Sequence, residues 1–352
     1  MVSNLMLFIL LVPAILLVGL YLWVYGEPRL SPEILQMVQD RLKQDPPELL
    51  RGQAGFTENN GVRLWYEVMN PDASNKETIL LIMGHSTSGM RWPPYLFEPM
   101  MEAGYRVIRY DNRGVGLSDW MKNWSKKNSY TIQDMTQDAV AILEATGTQR
   151  AHLFGVSMGG MIAQQLTIDQ PERVLSLTSI MSSGWMDDPA LPYVPSKTFR
   201  KAVKLGIRYR LKQDEEHFLQ YAAGATLVLK GDDPAEANIN FSLISNQYLW
   251  RKHGGYNVKV GDQHTAAVKG GGARYEGLKE INKPSLVIHG DGDPLVPVEH
   301  SLKYGPMIPN ARVEIIPKMS HRLAEKYMPQ ILELSFENFR KGVTKTMADG
   351  NL

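Results

Sequence analysis

The stretch Leu153-Phe-Gly-Val-Ser-Met-Gly-Gly160 decides the reading of this chain, because it sets one serine between glycines where a strand pattern gives way to a helix pattern. Ala151 to Gly155 is an apolar run of buried-strand length, and Met158 to Ile168 has the small and apolar spacing of a helix packed on a sheet. Between them the chain must turn sharply, and Gly155 and Gly159 leave the room that side chains would fill. Such a turn lifts the serine oxygen above the sheet, beside the free N–H groups of a helix N-terminus. Ser157 therefore reads as a nucleophile; by itself, the pentapeptide is also compatible with a chance Gly-Ser-Gly turn.

Outward from the serine, strand patterns alternate with helix patterns. Phe56 to Val68 reads as a hairpin with turn residues Asn59-Asn60-Gly61, and Thr78 to Met83 is a continuous apolar strand ending in the polar loop Gly84-His85-Ser86-Thr87-Ser88-Gly89. Tyr105 to Tyr110 is a strand running into Asp111-Asn-Arg-Gly-Val-Gly-Leu-Ser118, where an Asp111–Arg113 ion pair is expected to staple the loop, with binding of an anionic substrate as the alternative. Thr131 to Gly147 is a helix by pattern, Val174 to Met181 a strand, and Ser183 to about Thr265 a helical insertion. Met186, Phe199, Phe218, Tyr221 and Trp250 are candidates to line an acyl pocket there, although such stripes are more often plain core. The strand Pro284 to His289 opens into a loop with two carboxylates, Asp291 and Asp293. The strand Arg312 to Ile316 leads to His321, and a helix follows around Pro329 to Phe339. Serine, acid and histidine thus occur in the chain order of an α/β-hydrolase triad, with the acid and the histidine each after a separate strand.

From about Phe56 to Phe339 the chain resembles the α/β-hydrolase superfamily, in particular the aclacinomycin methylesterase-like carboxylesterases. The motifs are LLIMGHSTSGMRWP, YDNRGVGLSD, GVSMGGMIAQ and VIHGDGDPLVP. The resemblance implies a mostly parallel sheet with helices on both faces and a helical cap. It also implies Asp293, directly before Pro-Leu-Val-Pro, as the triad acid, with Asp291 as the fallback. His321 is then the base, since an imidazole titrating near neutrality suits that task. The oxyanion donors are expected at the backbone N–H groups of Met158 and His85, and the imidazole of His85 is the rival to His321. Many family members carry His-Gly where this chain has Met83-Gly84, and Gly-His where it has Ser320-His321. The expected organisation is an anchor (1–25), a linker with an amphipathic helix (26–55), core (56–183 and 266–345) around a cap (184–265), and a tail (346–352).

Composition bounds the function. With 38 Lys plus Arg against 37 Asp plus Glu among 352 residues, nothing electrostatic recommends nucleic acid as a partner. Cysteine is absent, which excludes disulfides, thiolate metal sites and a cysteine nucleophile. Leu5 to Tyr25 carries no charge and is about long enough to cross a bilayer, so a single-pass membrane anchor is expected, with a cleaved signal peptide as the rival and the side left open. Ser31-Pro32-Glu33 starts a short amphipathic helix that either lies on the membrane or docks on the body. The expected activity is hydrolysis of a small-molecule carboxylic ester through an acyl-enzyme, without metal or cofactor, and the expected anchor makes a lipophilic ester or monoacylglycerol an attractive substrate. A cofactor-free haloperoxidase or perhydrolase and a non-catalytic binding protein are the alternatives on the same fold.

Overall fold

Side chains along the central strands alternate between two cores. The computed structural model describes residues 16–24, 26, 29–73, 77–210, 212–232 and 238–348. Its strands are β1 (Gln53–Asn59), β2 (Val62–Met69), β3 (Thr78–Ile82), β4 (Arg106–Tyr110), β5 (Ala151–Val156), β6 (Val174–Ile180), β7 (Ser285–Gly290) and β8 (Arg312–Ile316). They form one sheet in the order β1-β2-β4-β3-β5-β6-β7-β8. β1 and β4 each run antiparallel to β2, and every other pairing is parallel. Asn60 and Gly61, both at positive φ (50° and 74°), close the β1–β2 hairpin as a tight turn requires.

Apolar runs without polar alternation suit strands covered on both faces. Leu80, Ile82, Ile108 and Leu153 enter one core, while their neighbours Ile79, Leu81, Val107 and Phe154 enter the other. Helices α1 (Pro32–Leu42), α2 (Pro94–Glu102), α3 (Ile132–Ala145) and α4 (Met158–Asp169) come first in the chain. α3 and α4 fill the first core with Met135, Ile142, Leu143, Met161 and Ile162. α2 fills the second with Leu96, Phe97 and Met100, joined by Ile331 and Phe339 of the last helix. Each such side chain contributes about 1.5–3 kcal/mol on burial.

Between β6 and β7 the chain forms α5 (Ser196–Leu205), a π turn (Gly206–Arg210), α6 (Glu215–Leu229), α7 (Ile239–His253) and α8 (Val260–Gly270). α1 docks on this layer. Ser31 caps it by accepting from the Ile34 N–H at 3.4 Å, Val38 is buried with Leu205, Leu219 and Leu243, and Gln247 Nε2 donates to Arg41 O at 2.7 Å. The expected membrane span, residues 5–25, lies for the most part outside the described residues. Its described part, 16–24, is helical. A crossing needs about 20 apolar residues in one helix, and among the described residues no helix is long and apolar enough. The structure therefore gives the anchor no support.

The Asp111–Arg113 staple is a second correction. Gly114 and Gly116 adopt positive φ (88° and 54°) in this loop, and the two charged side chains part company. Arg113 pairs with buried Asp138 of α3 at 2.6 Å. Asp111 instead accepts from Ser88 Oγ (2.5 Å), Gly89 N (2.8 Å) and Leu117 N (2.9 Å), tying the loop after β4 to the loop after β3.

Candidate active site

Four loops converge at the carboxyl ends of β3, β5, β7 and β8, the edge where open α/β sheets bind ligands. Ser157 lies between β5 and α4 with φ 56° and ψ −123°, a conformation L-residues rarely adopt. Two hydrogen bonds hold it there: the Ser157 N–H donates to Ile180 O at 2.8 Å, and Ser182 Oγ donates to Ser157 O at 2.7 Å. The flanking glycines are required by close approach. A Cβ on Gly155 would stand 2.3 Å from Gly159 O, and one on Gly159 would stand 2.0 Å from Ile82 O.

His321, in the loop after β8, places Nε2 3.1 Å from Ser157 Oγ and Nδ1 2.6 Å from Asp293 Oδ2. A carboxylate only accepts, so Nδ1 carries the proton and the Nε2 lone pair faces the serine hydroxyl. Asp293, in the loop after β7, has its other oxygen occupied by the N–H groups of Leu295 (2.7 Å) and Val296 (2.8 Å). Burial pushes the Asp293 carboxyl up, but the charges of and bonds to His321 and His289 outweigh it and hold the group well below the ordinary carboxylate range. The fallback acid, Asp291, is exposed and accepts from the Lys318 N–H at 2.5 Å. The structure thus brings Ser157, His321 and Asp293 together and leaves Asp291 outside the chain of bonds.

The N–H of Met158 belongs to the first turn of α4, where a helix leaves donors free. Gly84 packs against the serine, and a Cβ there would lie 3.1 Å from Ser157 Cβ, so the His85 N–H follows directly at this contact. The His85 side chain turns elsewhere. Its Nε2 meets Gly261 O at 3.0 Å and Thr265 Oγ1 at 3.1 Å, and its Nδ1 meets Ser86 Oγ at 3.0 Å. Burial pushes its pKa down to about 4, which suits a neutral structural imidazole. His264 of α8 completes the arrangement: Nδ1 accepts from the Ser86 N–H at 2.9 Å and Nε2 donates to Arg113 O at 2.8 Å. Both rings fix the loop after β3 to α8.

His264 and His289 carry no motif that marks them as site residues in the sequence. Both are fully buried, and His289 has a place at the site: its Nε2 lies 3.3 Å from Asp293 Oδ2 and 2.9 Å from Val296 O, while Nδ1 meets Ser301 Oγ at 2.6 Å. The one signal available was the i, i+4 spacing of His289 and Asp293. The proposed acyl-pocket residues scatter. Phe218 and Trp250 line a cavity of about 540 Å³ with Tyr209, Arg210 and Tyr256, but Phe199 is 62% exposed and Met186 packs against the first core. Among the described residues no cluster of three or more His, Asp or Glu side chains is placed to hold a metal.

Residues 77–325 match the family model described as the alpha/beta hydrolase fold. The chain belongs to that family. It is 28% identical over 279 residues to rhodomycin D methylesterase DnrP of Streptomyces peucetius, covering 75% of this chain and 91% of the relative, and so resembles methylesterase-like carboxylesterases. Among solved structures, an esterase from Exiguobacterium antarcticum superposes with a TM-score of 0.63 at 18% identity, covering 80% of this chain and 99% of its own. A bromoperoxidase from Bacillus anthracis superposes with a TM-score of 0.62 at 23% identity, covering 82% and 99%. These two likenesses are likenesses of fold.

Proposed function

We propose that this member of the alpha/beta hydrolase fold family is a serine carboxylesterase that works through an acyl-enzyme. The observation carrying the reading is the continuous chain of hydrogen bonds from Ser157 Oγ through His321 to Asp293, at 3.1 and 2.6 Å. A serine hydroxyl is a weak nucleophile until a base takes its proton. In the proposed cycle His321 Nε2 takes that proton as Ser157 Oγ attacks the ester carbonyl. Asp293 stabilises the resulting imidazolium. The N–H groups of Met158 and His85 receive the oxyanion. Collapse of the tetrahedral species expels the alcohol with the proton returned by His321, and a water activated by the same imidazole then releases the acid.

The likeness to DnrP over most of both chains supports ester chemistry, since that relative is a methylesterase by name. The experiment is hydrolysis of p-nitrophenyl esters of graded acyl length by the wild type and Ser157→Ala. Removal of such a serine costs roughly a millionfold in turnover in a serine protease. Loss of that order supports the reading. Equal rates in both proteins would overturn it, and peroxide-dependent bromination without ester hydrolysis would move it to a perhydrolase.

A further inference from the structure

Three arginines gather near this site, and among the described residues none of them forms an ion pair with a carboxylate. Arg91 ends the short turn Gly89–Arg91 that follows the His85 loop. Arg322 directly follows His321. Arg210 comes from the π turn between α5 and α6, where Nη2 donates to Val258 O and the guanidinium lies 5.4 Å from the ring centroids of both Tyr221 and Tyr256. Its Nη1 is 3.4 Å from where a Cβ on Gly261 would stand, and Ser86 Oγ is 3.9 Å from the same point. Arg210 is thus close to the loop that carries the His85 N–H.

The three belong to one region. The charge of Arg322 acts on Arg91, and Tyr221 and Tyr256, the two rings that flank Arg210, lie in the same neighbourhood. The charge of Arg210 acts on His85. Burial, reinforced by Arg322, pushes the Arg91 guanidinium down to about 10. The Nε atoms of Arg91 and Arg210 are buried and, among the described residues, meet no hydrogen-bond acceptor. The carboxylate that acts on His85, Asp262, is itself exposed.

Such an arrangement is costly without a counter-charge. All three arginines are half-buried; cations partly withdrawn from water are ordinarily paired, and like charges in one region raise the cost further. The aromatic rings and Val258 O account for one side of Arg210, but they leave its Nε and that of Arg91 unsatisfied. A planar guanidinium presents a fork of donors that matches carboxylate and phosphate oxygens.

We propose that Arg91, Arg210 and Arg322 form an anion subsite beside His321, and that the ester cleaved at Ser157 carries a carboxylate or phosphate elsewhere in the molecule. This rests on the esterase reading above. Arg210 and Tyr256 also line the cavity of about 540 Å³.

Two matched pairs of esters test it with the full chain. The first is mono-4-nitrophenyl adipate against 4-nitrophenyl hexanoate, with the charge on the acyl part. The second is 4-hexanoyloxybenzoate against its methyl ester, with the charge on the alcohol part. The wild type is expected to prefer the charged member of one pair by tenfold or more in kcat/KM. That ratio is expected to fall by roughly ten- to a hundredfold in Arg91→Gln and Arg322→Gln, the worth of a charged hydrogen bond. Inhibition by inorganic phosphate at lower concentration than by adipate assigns the anion as phosphate, and the reverse assigns it as carboxylate. Preference for the neutral member of both pairs, with hydrolysis still dependent on Ser157, overturns the subsite and leaves the esterase standing. If no Ser157-dependent hydrolysis occurs at all, the esterase reading fails separately. Calorimetric binding of adipate or phosphate then decides: binding lost in Arg91→Gln upholds the subsite, and no binding overturns it.

Discussion

Replacing Asp293 by asparagine tests the site through one proton. In the wild type, Asp293 Oδ1 accepts from the N–H groups of Leu295 and Val296, and Oδ2 faces His321 Nδ1 at 2.6 Å. An asparagine keeps its carbonyl oxygen on the two N–H groups, which turns the amide NH2 toward His321. Nδ1 must then accept, so the ring proton moves to Nε2, and the nitrogen 3.1 Å from Ser157 Oγ can no longer take the hydroxyl proton. The imidazolium also loses its counter-charge. In a serine protease this change costs about 10⁴ in kcat, or about 5 kcal/mol of transition-state stabilisation. The expected outcome here is a kcat on p-nitrophenyl butyrate lower by roughly 10³- to 10⁴-fold, KM changed little, and folding stability reduced by only about 1 kcal/mol. Steady-state kinetics and thermal melts read both quantities. Asp291→Asn serves as the comparison, because exposed Asp291 accepts from the Lys318 N–H, away from the triad, and its loss is expected to change kcat by less than about threefold. An Asp293→Asn enzyme within tenfold of wild type, with a normal melt, would refute the reasoning.

Three further outcomes follow from the geometry. Gly159→Ala places a Cβ 2.0 Å from Ile82 O, a backbone atom that cannot yield, so the variant is expected to lose more than about 3 kcal/mol of stability or fail to fold; wild-type solubility and melting would contradict this. Arg113→Ala strands buried Asp138 and is expected to cost about 3–5 kcal/mol in denaturant unfolding, whereas exposed Arg312→Ala should cost under about 1 kcal/mol. His85 and His264 are neutral in the fold, pushed by burial from 6.5 to about 4 and about 3. Depressed folded-state values mean that their contribution is complete above pH 6.5 and is lost as pH falls toward 4. Asp111 acts in the opposite sense, since burial raises its carboxyl from 3.8 to about 6, so its contribution is present below 3.8 and lost as pH rises through 6. Comparing unfolding free energies of wild type and His264→Gln between pH 7 and 4.5 separates these effects, with a shallower acid decline expected for the variant and parallel curves counting against it.

The sheet was legible because its strands carry long apolar runs and because glycines mark the turns. Gly155 and Gly159 announced the serine turn, and Asn60-Gly61 the hairpin. The order of Ser157, Asp293 and His321 was legible for the same local reason: each follows a recognisable strand. What could not be read was the choice of partner across long stretches of chain. Arg113 passes over Asp111, two residues away, for Asp138 on the next helix. His85 bonds Gly261 and Thr265, more than 170 residues later, because α8 packs over the loop after β3. No periodicity in the helical segment foretold that α8 would lie there, or that Arg91, Arg210 and Arg322 would share one region. The cavity aromatics were legible only in part, since Phe199 and Phe218 both sit in helical patterns and only packing separates an exposed ring from a lining one.

The central claim is that Ser157 is the nucleophile activated by His321. Intact-mass measurement of the full chain after brief exposure to a fluorophosphonate tests it most directly. The account predicts a single adduct on Ser157, no adduct in Ser157→Ala, and much slower labelling in His321→Ala. An unlabelled wild type, or labelling that persists unchanged in Ser157→Ala, would contradict it.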